Sequence, residues 1–149
     1  MDDQKLIAPC GVYCGVCPYL IAHKHEDEEL KKKLAKNIGV KPEKIECEGC
    51  RSNYPFFFCR SCTIKACVLE KKLESCALCD KFPCEKIENY PYQPFIENVK
   101  WDINCRRKLG KEAWIEKTIK INTCPACNTL NHRKAKRCIK CNEELPKRY

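Results

Sequence analysis

The feature that most constrains this chain is its cysteine content, 16 of 149 residues, placed mostly as close pairs. Such pairs are typical either of secreted domains with disulfides or of metal sites with thiolate ligands. The chain begins MDDQKLIAPC, which has neither the basic start nor the apolar run of a secretory signal. We therefore expect a cytoplasmic protein whose cysteines stay reduced and bind metal ions.

The content of large aliphatic and aromatic residues is low for a core that must hold a fold alone. Leu, Ile, Val and Phe make up 32 of 149 residues, close to the roughly 20% below which chains tend to stay disordered. Each structural zinc contributes on the order of 10 kcal/mol or more to folding at neutral pH. Metal binding is therefore the expected principal stabiliser. The chain also lacks the run of about 18 apolar residues that a membrane-spanning helix needs.

The clearest motif lies near the carboxyl end, where four cysteines have the spacing C-x2-C-x10-C-x2-C. They are Cys124, Cys127, Cys138 and Cys141. Each C-x2-C pair with its tight turn forms a zinc knuckle, and two knuckles supply four thiolates in tetrahedral geometry with no open position. The spacing thus predicts a structural zinc ribbon. Because composition changes near residue 121, we predict a cysteine-rich multi-metal domain with a Trp-bearing helical segment over 1–121, and a basic ribbon over 122–149.

The remaining cysteines can be grouped into metal sites in more than one way. Local spacing favours two quartets in the central region: Cys47, Cys50, Cys59 and Cys62, then Cys67, Cys76, Cys79 and Cys84. An interleaved arrangement would instead pair the amino-terminal cluster with central cysteines; that cluster is Cys10, Cys14 and Cys17. Its fourth ligand could be Cys105, His23 or a central cysteine. Spacing alone leaves these alternatives open.

The expected cofactors are up to four Zn²⁺ ions. Thiolate ligands also suit iron–sulfur clusters, so a [4Fe–4S] cluster in an amino-terminal site is the alternative. Ferredoxin-like spacing is absent and ribbon-like spacing is present, which favours zinc.

Helical patterns lie between the cysteine groups. The first begins at Pro18 and ends before Gly39, a second lies between Cys62 and Cys76, and a third is divided at Gly110. The segment NYPFFFC is predicted to be a short strand or a loop. The predicted fold is a small metal-stabilised α+β domain, mostly short helices and zinc knuckles, with a carboxyl-terminal zinc ribbon.

The charge of the chain is unevenly distributed. Its formal net charge is +9; residues 1–99 hold equal numbers of basic and acidic residues, whereas residues 100–149 hold 14 basic against 5 acidic. Four zinc–thiolate centres would lower the total to about +1, so the local excess is more informative than the total. No phosphate-binding loop or nucleophile motif is present. We therefore expect a non-enzymatic adaptor that binds RNA or an acidic protein surface through its basic ribbon. An iron–sulfur redox or cluster-handling protein is the alternative.

Two resemblances bear on these expectations. The ribbon spacing C-x2-C-x3-N-x6-C-x2-C, with Asn131 inside, resembles the Ran-binding-protein-2 type of zinc finger and the short ribbons of many microbial proteins. Members of the first group bind single-stranded RNA or ubiquitin. This resemblance implies candidate RNA contacts at Arg133, Lys134, Lys136 and Arg137.

The amino-terminal part resembles the cysteine-rich family catalogued as domain of unknown function 3795. The resemblance is carried by CGVYCGVCPYLIA at 10–22, CEGC at 47–50, CRSCTIKACVLEKKLESCALC at 59–79 and FPCEKI at 82–87. It implies a metal-binding domain followed by a zinc ribbon, and it implies no activity.

Overall fold

The computed structural model describes residues 3–149, and within this range the chain is built of short helices joined by turns. The α-helices are α1 (Pro18–Lys24), α2 (Glu28–Ile38), α3 (Phe57–Arg60), α4 (Thr63–Glu70), α5 (Glu85–Glu88), α6 (Gln93–Leu109) and α7 (Lys111–Asn122). Single 3₁₀ turns cover Asp3–Leu6, Cys14–Val16, Pro42–Lys44 and Cys76–Leu78. No helix among the described residues has the length and apolar character needed to cross a membrane.

Local signals in the sequence set the bounds of α1 and α2. Pro18 occupies the first turn of α1, where its missing N–H costs nothing. Asp27 caps α2 by accepting a hydrogen bond from the Leu30 amide at 3.0 Å, and Gly39 ends it with a left-handed φ of 73°. The predicted helical region from Pro18 to Gly39 is thus confirmed, with a break between its two helices.

The structure is mostly helical rather than α+β. Residues 3–149 contain no β-strand, only three isolated bridges. Two of these bridges close the ribbon turns, Thr123 with Leu130 and Arg137 with Glu144. A knuckle is too short to extend a bridge into a ladder, so the predicted strand component is not confirmed.

The segment NYPFFFC also differs from its predicted strand or loop, because residues 57–60 form the short helix α3. Phe56 is buried just before this helix and stacks on Tyr19 with ring centroids 4.0 Å apart. This contact brings the central region against α1.

A compact apolar core lies between α6, α7 and the amino-terminal turns. Trp114, Val99, Ile103 and Ile7 are completely buried there. Gly110 separates α6 from α7, as predicted, and its φ of 89° with ψ of 165° lies in a region that only glycine adopts readily. The helical part therefore has an apolar core of its own in addition to its cysteines.

A buried ion pair attaches the ribbon to this core. Asp102 on α6 accepts hydrogen bonds from the Trp114 indole at 2.9 Å and from the Arg133 guanidinium at 2.6 Å. The Arg133 amide also donates to the Val16 carbonyl at 2.9 Å. The ribbon is thus packed on the helical core.

Candidate metal centre

The ribbon is built from two knuckles with the same backbone geometry. In the first, the Cys124 amide donates to Thr129 and the Asn128 amide donates back to the Cys124 carbonyl, both at 2.9 Å. In the second, the Cys138 amide donates to Glu143 at 2.9 Å and the Asn142 amide donates to the Cys138 carbonyl at 3.0 Å.

Each knuckle turns at an asparagine in the left-handed region, Asn128 at φ 60° and Asn142 at φ 61°. Asparagine tolerates this conformation better than most residues. The two turns therefore present their cysteine pairs to a common centre.

The four ribbon sulfurs are already assembled. The sulfur atoms of Cys124, Cys127, Cys138 and Cys141 all lie within 4.8 Å of one another. Across the two knuckles, Cys124 Sγ is 3.6 Å from Cys141 Sγ, and Cys127 Sγ is 3.5 Å from Cys138 Sγ. A tetrahedron with zinc–sulfur bonds of about 2.3 Å has sulfur–sulfur edges of about 3.8 Å. The quartet therefore fits one tetrahedral metal ion.

Asn131 joins the two knuckles from inside. Its side chain is fully buried, and its amide donates to the Thr129 carbonyl at 2.9 Å and towards Cys138 Sγ at 3.5 Å. Its carbonyl oxygen accepts a hydrogen bond from the Ile139 amide at 2.8 Å. Such contacts orient thiolates around a metal ion.

Hydrogen-bond donors favour the thiolate form of two of the four ribbon cysteines, Cys127 and Cys138. Burial acts to raise the pKa of Cys138, but the amides of Cys141 and Lys140 and the side chain of Asn131 outweigh it and lower that pKa to about 6. The Thr129 hydroxyl lowers the pKa of Cys127. Part of the site is thus ready to lose its protons near neutral pH.

The predicted RNA contacts of the ribbon divide into two sets. Lys134, Lys136 and Arg137 are exposed. Arg133 is only 6% exposed, since its guanidinium pairs with the buried Asp102. Arg133 therefore docks the ribbon and does not belong to its exposed basic surface, contrary to the sequence-based prediction.

The amino-terminal cysteines gather in the helical part, but less tightly. Cys10, Cys14, Cys47 and Cys50 are each at most 9% exposed. Among residues 3–149, the ribbon quartet is the one group of three or more cysteine, histidine or acidic residues whose ligand atoms all lie within 4.8 Å of one another. The amino-terminal thiols are thus neighbours without forming a site of single-ion size.

Electrostatic contacts between the thiols show which cysteines share a region. Burial raises the pKa of Cys14, and the nearby thiols of Cys17, Cys50 and Cys47 add to the increase. Cys10 is raised in the same way, with Cys50 as its foremost thiol neighbour. These contacts bring the amino-terminal cluster next to central cysteines, as the interleaved alternative requires, and the grouping of these cysteines into sites stays a prediction.

A second set surrounds Cys76. Burial raises the pKa of Cys76 to about 12, with contributions from Cys79, Cys84 and Cys67 and a smaller one from Cys62. Cys67, Cys79 and Cys84 are the other members of the quartet predicted from spacing at 67–84, whereas Cys62 belongs to the other predicted quartet.

Cys62 also interacts with the amino-terminal set, because it adds to the raised pKa of Cys10. Its side chain hydrogen-bonds with that of Tyr90, which interacts with Cys59 and Cys10 as well. Cys62 thus lies where the two thiol sets meet.

Two further ligand candidates lie outside these sets. Burial raises the pKa of Cys105, and its charged neighbours are Lys117, Asp102 and Lys108. His23 lies partly buried on α1. Neither residue belongs to an assembled ligand group within the described chain.

Two features of the centre were missed in the sequence. The repeat C-x2-C-N, present as CPACN at 124–128 and CIKCN at 138–142, was visible and indicates paired left-handed turns. The role of Asp102 carried no local signal, because its partner Arg133 lies 31 residues away in sequence.

Comparison with known proteins gives one match. A family model described as "Protein of unknown function (DUF3795)" matches residues 6–89, which include α1 to α5 and the thiols up to Cys84. Neither a curated protein nor a solved structure matches the chain. The ribbon lies outside the matched range.

Proposed function

This chain belongs to the family of proteins of unknown function DUF3795, and we propose that it is a zinc-stabilised, non-enzymatic adaptor whose ribbon recruits an anionic partner. The observation that carries the proposal is the ribbon quartet, whose four sulfurs lie within 4.8 Å of one another and have the spacing of one tetrahedral ion. All four ligand positions are thiolates, so a bound zinc ion would have a structural role. The proposal places the protein in a reducing compartment such as the cytoplasm.

The partner is inferred from the surface that the zinc site supports. Lys134 and Lys136 lie exposed on the loop between the knuckles, and Arg137 follows directly before Cys138. Arg137 also donates to the Asn142 carbonyl at 3.2 Å, which ties its position to the second knuckle. A metal ion that fixes both knuckles therefore also fixes the spacing of these positive charges. RNA and an acidic protein surface are the two anionic partners that such a patch fits.

A first experiment measures the metal. Purified protein analysed by elemental mass spectrometry is expected to contain zinc in the ribbon, and Cys138→Ser is expected to lose one zinc per chain. Unchanged zinc in Cys138→Ser would contradict the proposal.

A second experiment measures recruitment. Replacing Lys134, Lys136 and Arg137 with alanine is expected to weaken binding to a fluorescent single-stranded RNA and to an acidic peptide. For RNA, the slope of log affinity against log salt should fall by about 2 to 3. A matched control removes the same charge from the exposed residues Lys36, Lys41 and Lys44. The control should bind as wild type does; equal binding by all three proteins would refute the recruitment role.

A further inference from the structure

Two loops with C-x2-C spacing face each other in the helical part of the chain. One carries Cys14 and Cys17 before α1, and the other carries Cys47 and Cys50. Cys14 interacts with the other three thiols, and Cys47 interacts with Cys17 and Cys50. These four cysteines belong to one connected group of thiols drawn from segments that lie far apart in sequence, which also includes Cys10 and Cys59 as neighbours of Cys50.

Backbone and side-chain contacts fix these two loops against each other. Gly49, with φ of 109°, sits where an added Cβ would lie 3.7 Å from Leu6 and 3.8 Å from Leu20. Arg51, just after the second loop, donates from Nε to the Ile7 carbonyl at 2.7 Å. The Lys65 ammonium donates to the Cys50 carbonyl at 2.7 Å. The facing arrangement is thus held by contacts other than those between the thiols.

Backbone amides point at these sulfurs as they do in the ribbon. The Gly49 amide donates to Cys47 Sγ at 3.3 Å, and the Phe56 amide also hydrogen-bonds to Cys47. Cys17 receives amide hydrogen bonds from Leu20 and Tyr19. Amide donors stabilise thiolates and tune the potential of metal–sulfur centres. A thiol that is merely a small apolar core residue has no need of such donors.

The spacing of the sulfurs distinguishes this group from the ribbon. No three of its sulfur atoms lie within 4.8 Å of one another, whereas the ribbon sulfurs all do. A single tetrahedral ion draws four thiolates to edges of about 3.8 Å. In a [4Fe–4S] cluster each thiolate binds a different iron, and inorganic sulfide separates the irons, so the thiolates stand farther apart. We propose that Cys14, Cys17, Cys47 and Cys50 bind a [4Fe–4S] cluster, while the ribbon binds zinc.

The test uses the full chain, expressed with iron and cysteine supplied and purified without oxygen. We expect about four irons and four acid-labile sulfides per chain, a broad absorption band at about 400 nm, and an electron paramagnetic resonance signal after reduction with dithionite. Protein that contains zinc and no sulfide would overturn the proposal. This measurement on the wild-type chain decides the question even where a variant fails to fold.

Variants then locate the cluster. Cys14→Ser and Cys50→Ser are expected to lose most of the iron, the sulfide and the absorption band. Cys105→Ser is the matched control, because Cys105 lies among Lys117, Asp102 and Lys108 and should keep the full iron content. Iron retained in both Cys14→Ser and Cys50→Ser would contradict the assignment.

This inference does not rest on the proposed recruitment function, and the two fail separately. Cys138→Ser should lose zinc and keep iron, whereas Cys14→Ser should lose iron and keep RNA binding by the ribbon. If the variant that lacks Lys134, Lys136 and Arg137 loses RNA binding and the wild-type protein contains no iron, the recruitment proposal is supported and the cluster proposal is refuted.

Discussion

Replacing Asp102 with asparagine is expected to destabilise the protein strongly, because it leaves a buried positive charge without its counter-ion. The Arg133 side chain is 4% exposed and the Asp102 side chain 0% exposed, and their N–O distance is 2.6 Å. Burial raises the pKa of Asp102, while the Arg133 guanidinium and the Trp114 indole act against this increase. Arg133 Nη1 already lacks a hydrogen-bond partner, so no spare acceptor can take over.

The size of the effect follows from the burial of both groups. Removing one partner of a buried pair costs about 3–5 kcal/mol. For a chain of this length, a loss of about 1 kcal/mol lowers the melting temperature by about 2–4 °C. Asp102→Asn should therefore lower the melting temperature by about 10 °C. Loss of the pair also removes the contact that docks the ribbon, so residues 123–149 should become more open to proteolysis.

The assay is thermal unfolding of zinc-loaded protein followed by circular dichroism. The matched control is Glu88→Gln, which breaks the exposed pair with Lys100, whose atoms lie 2.8 Å apart. An exposed pair contributes about 0–1 kcal/mol, so this control should melt within a few degrees of wild type.

A second variant separates charge from packing. Asp102→Asn combined with Arg133→Met removes both charges and should recover most of the lost stability, because no unpaired charge then remains buried. A shift for Asp102→Asn no larger than that of Glu88→Gln would refute the reasoning, as would failure of the double variant to recover any stability.

Three further predictions address the backbone, pH and the metal. Gly110→Ala should lower the free energy of unfolding by about 1–3 kcal/mol, because its φ of 89° and ψ of 165° suit glycine alone. Gly39→Ala, at φ 73° and ψ 34°, should lower it by about 1 kcal/mol. Equal losses for the two variants in thermal unfolding would contradict this. Burial lowers the pKa of His132 to about 4, below its value of about 6.5 in the unfolded chain. The neutral imidazole therefore contributes stability that is fully present above about pH 6.5 and is lost as the pH falls towards 4. The stability difference between wild type and His132→Asn should therefore shift in favour of the variant between pH 6.5 and 4, and a constant difference would refute it. Adding zinc to metal-free, reduced protein should raise the melting temperature of wild type more than that of Cys138→Ser, whereas equal increases would show that the ribbon is not the site responsible.

Local signals were sufficient for several elements of the fold. Pro18 and Gly39 act within one helical turn of their own positions, so the helical region between them could be predicted from sequence. The ribbon quartet was also readable, because each pair spans three peptide bonds and the two pairs lie close together. The glycine break between α6 and α7 has the same local origin.

Contacts between residues far apart in sequence determine the features that local sequence signals do not predict. The orientation of Arg133 depends on Asp102, 31 residues away, and a basic residue in a basic loop gives no sign that it turns inwards. The segment at 57–60 becomes helical where Phe56 packs on Tyr19, a contact between distant parts of the chain. The meeting of Cys14 with Cys47 and Cys50 is likewise set by how the helices pack.

The two parts of the chain differ in how much apolar packing they have without a metal ion. The helical part buries Trp114 and several branched aliphatic side chains. The buried apolar residues of the ribbon other than cysteines are Ala135 and Leu145. With so little apolar area, a metal ion bound by the four thiolates would be the main source of order there.

Hydrogen exchange in the knuckles tests this claim most directly. The Cys124 and Cys138 amides each donate to a carbonyl at 2.9 Å and should exchange slowly in zinc-loaded protein. After zinc is removed with a chelator under reducing conditions, both amides are expected to exchange as fast as in an unfolded peptide, while α6 and α7 stay protected. Unchanged protection of both knuckle amides in zinc-free protein would contradict the view that thiolate-bound metal shapes the ribbon.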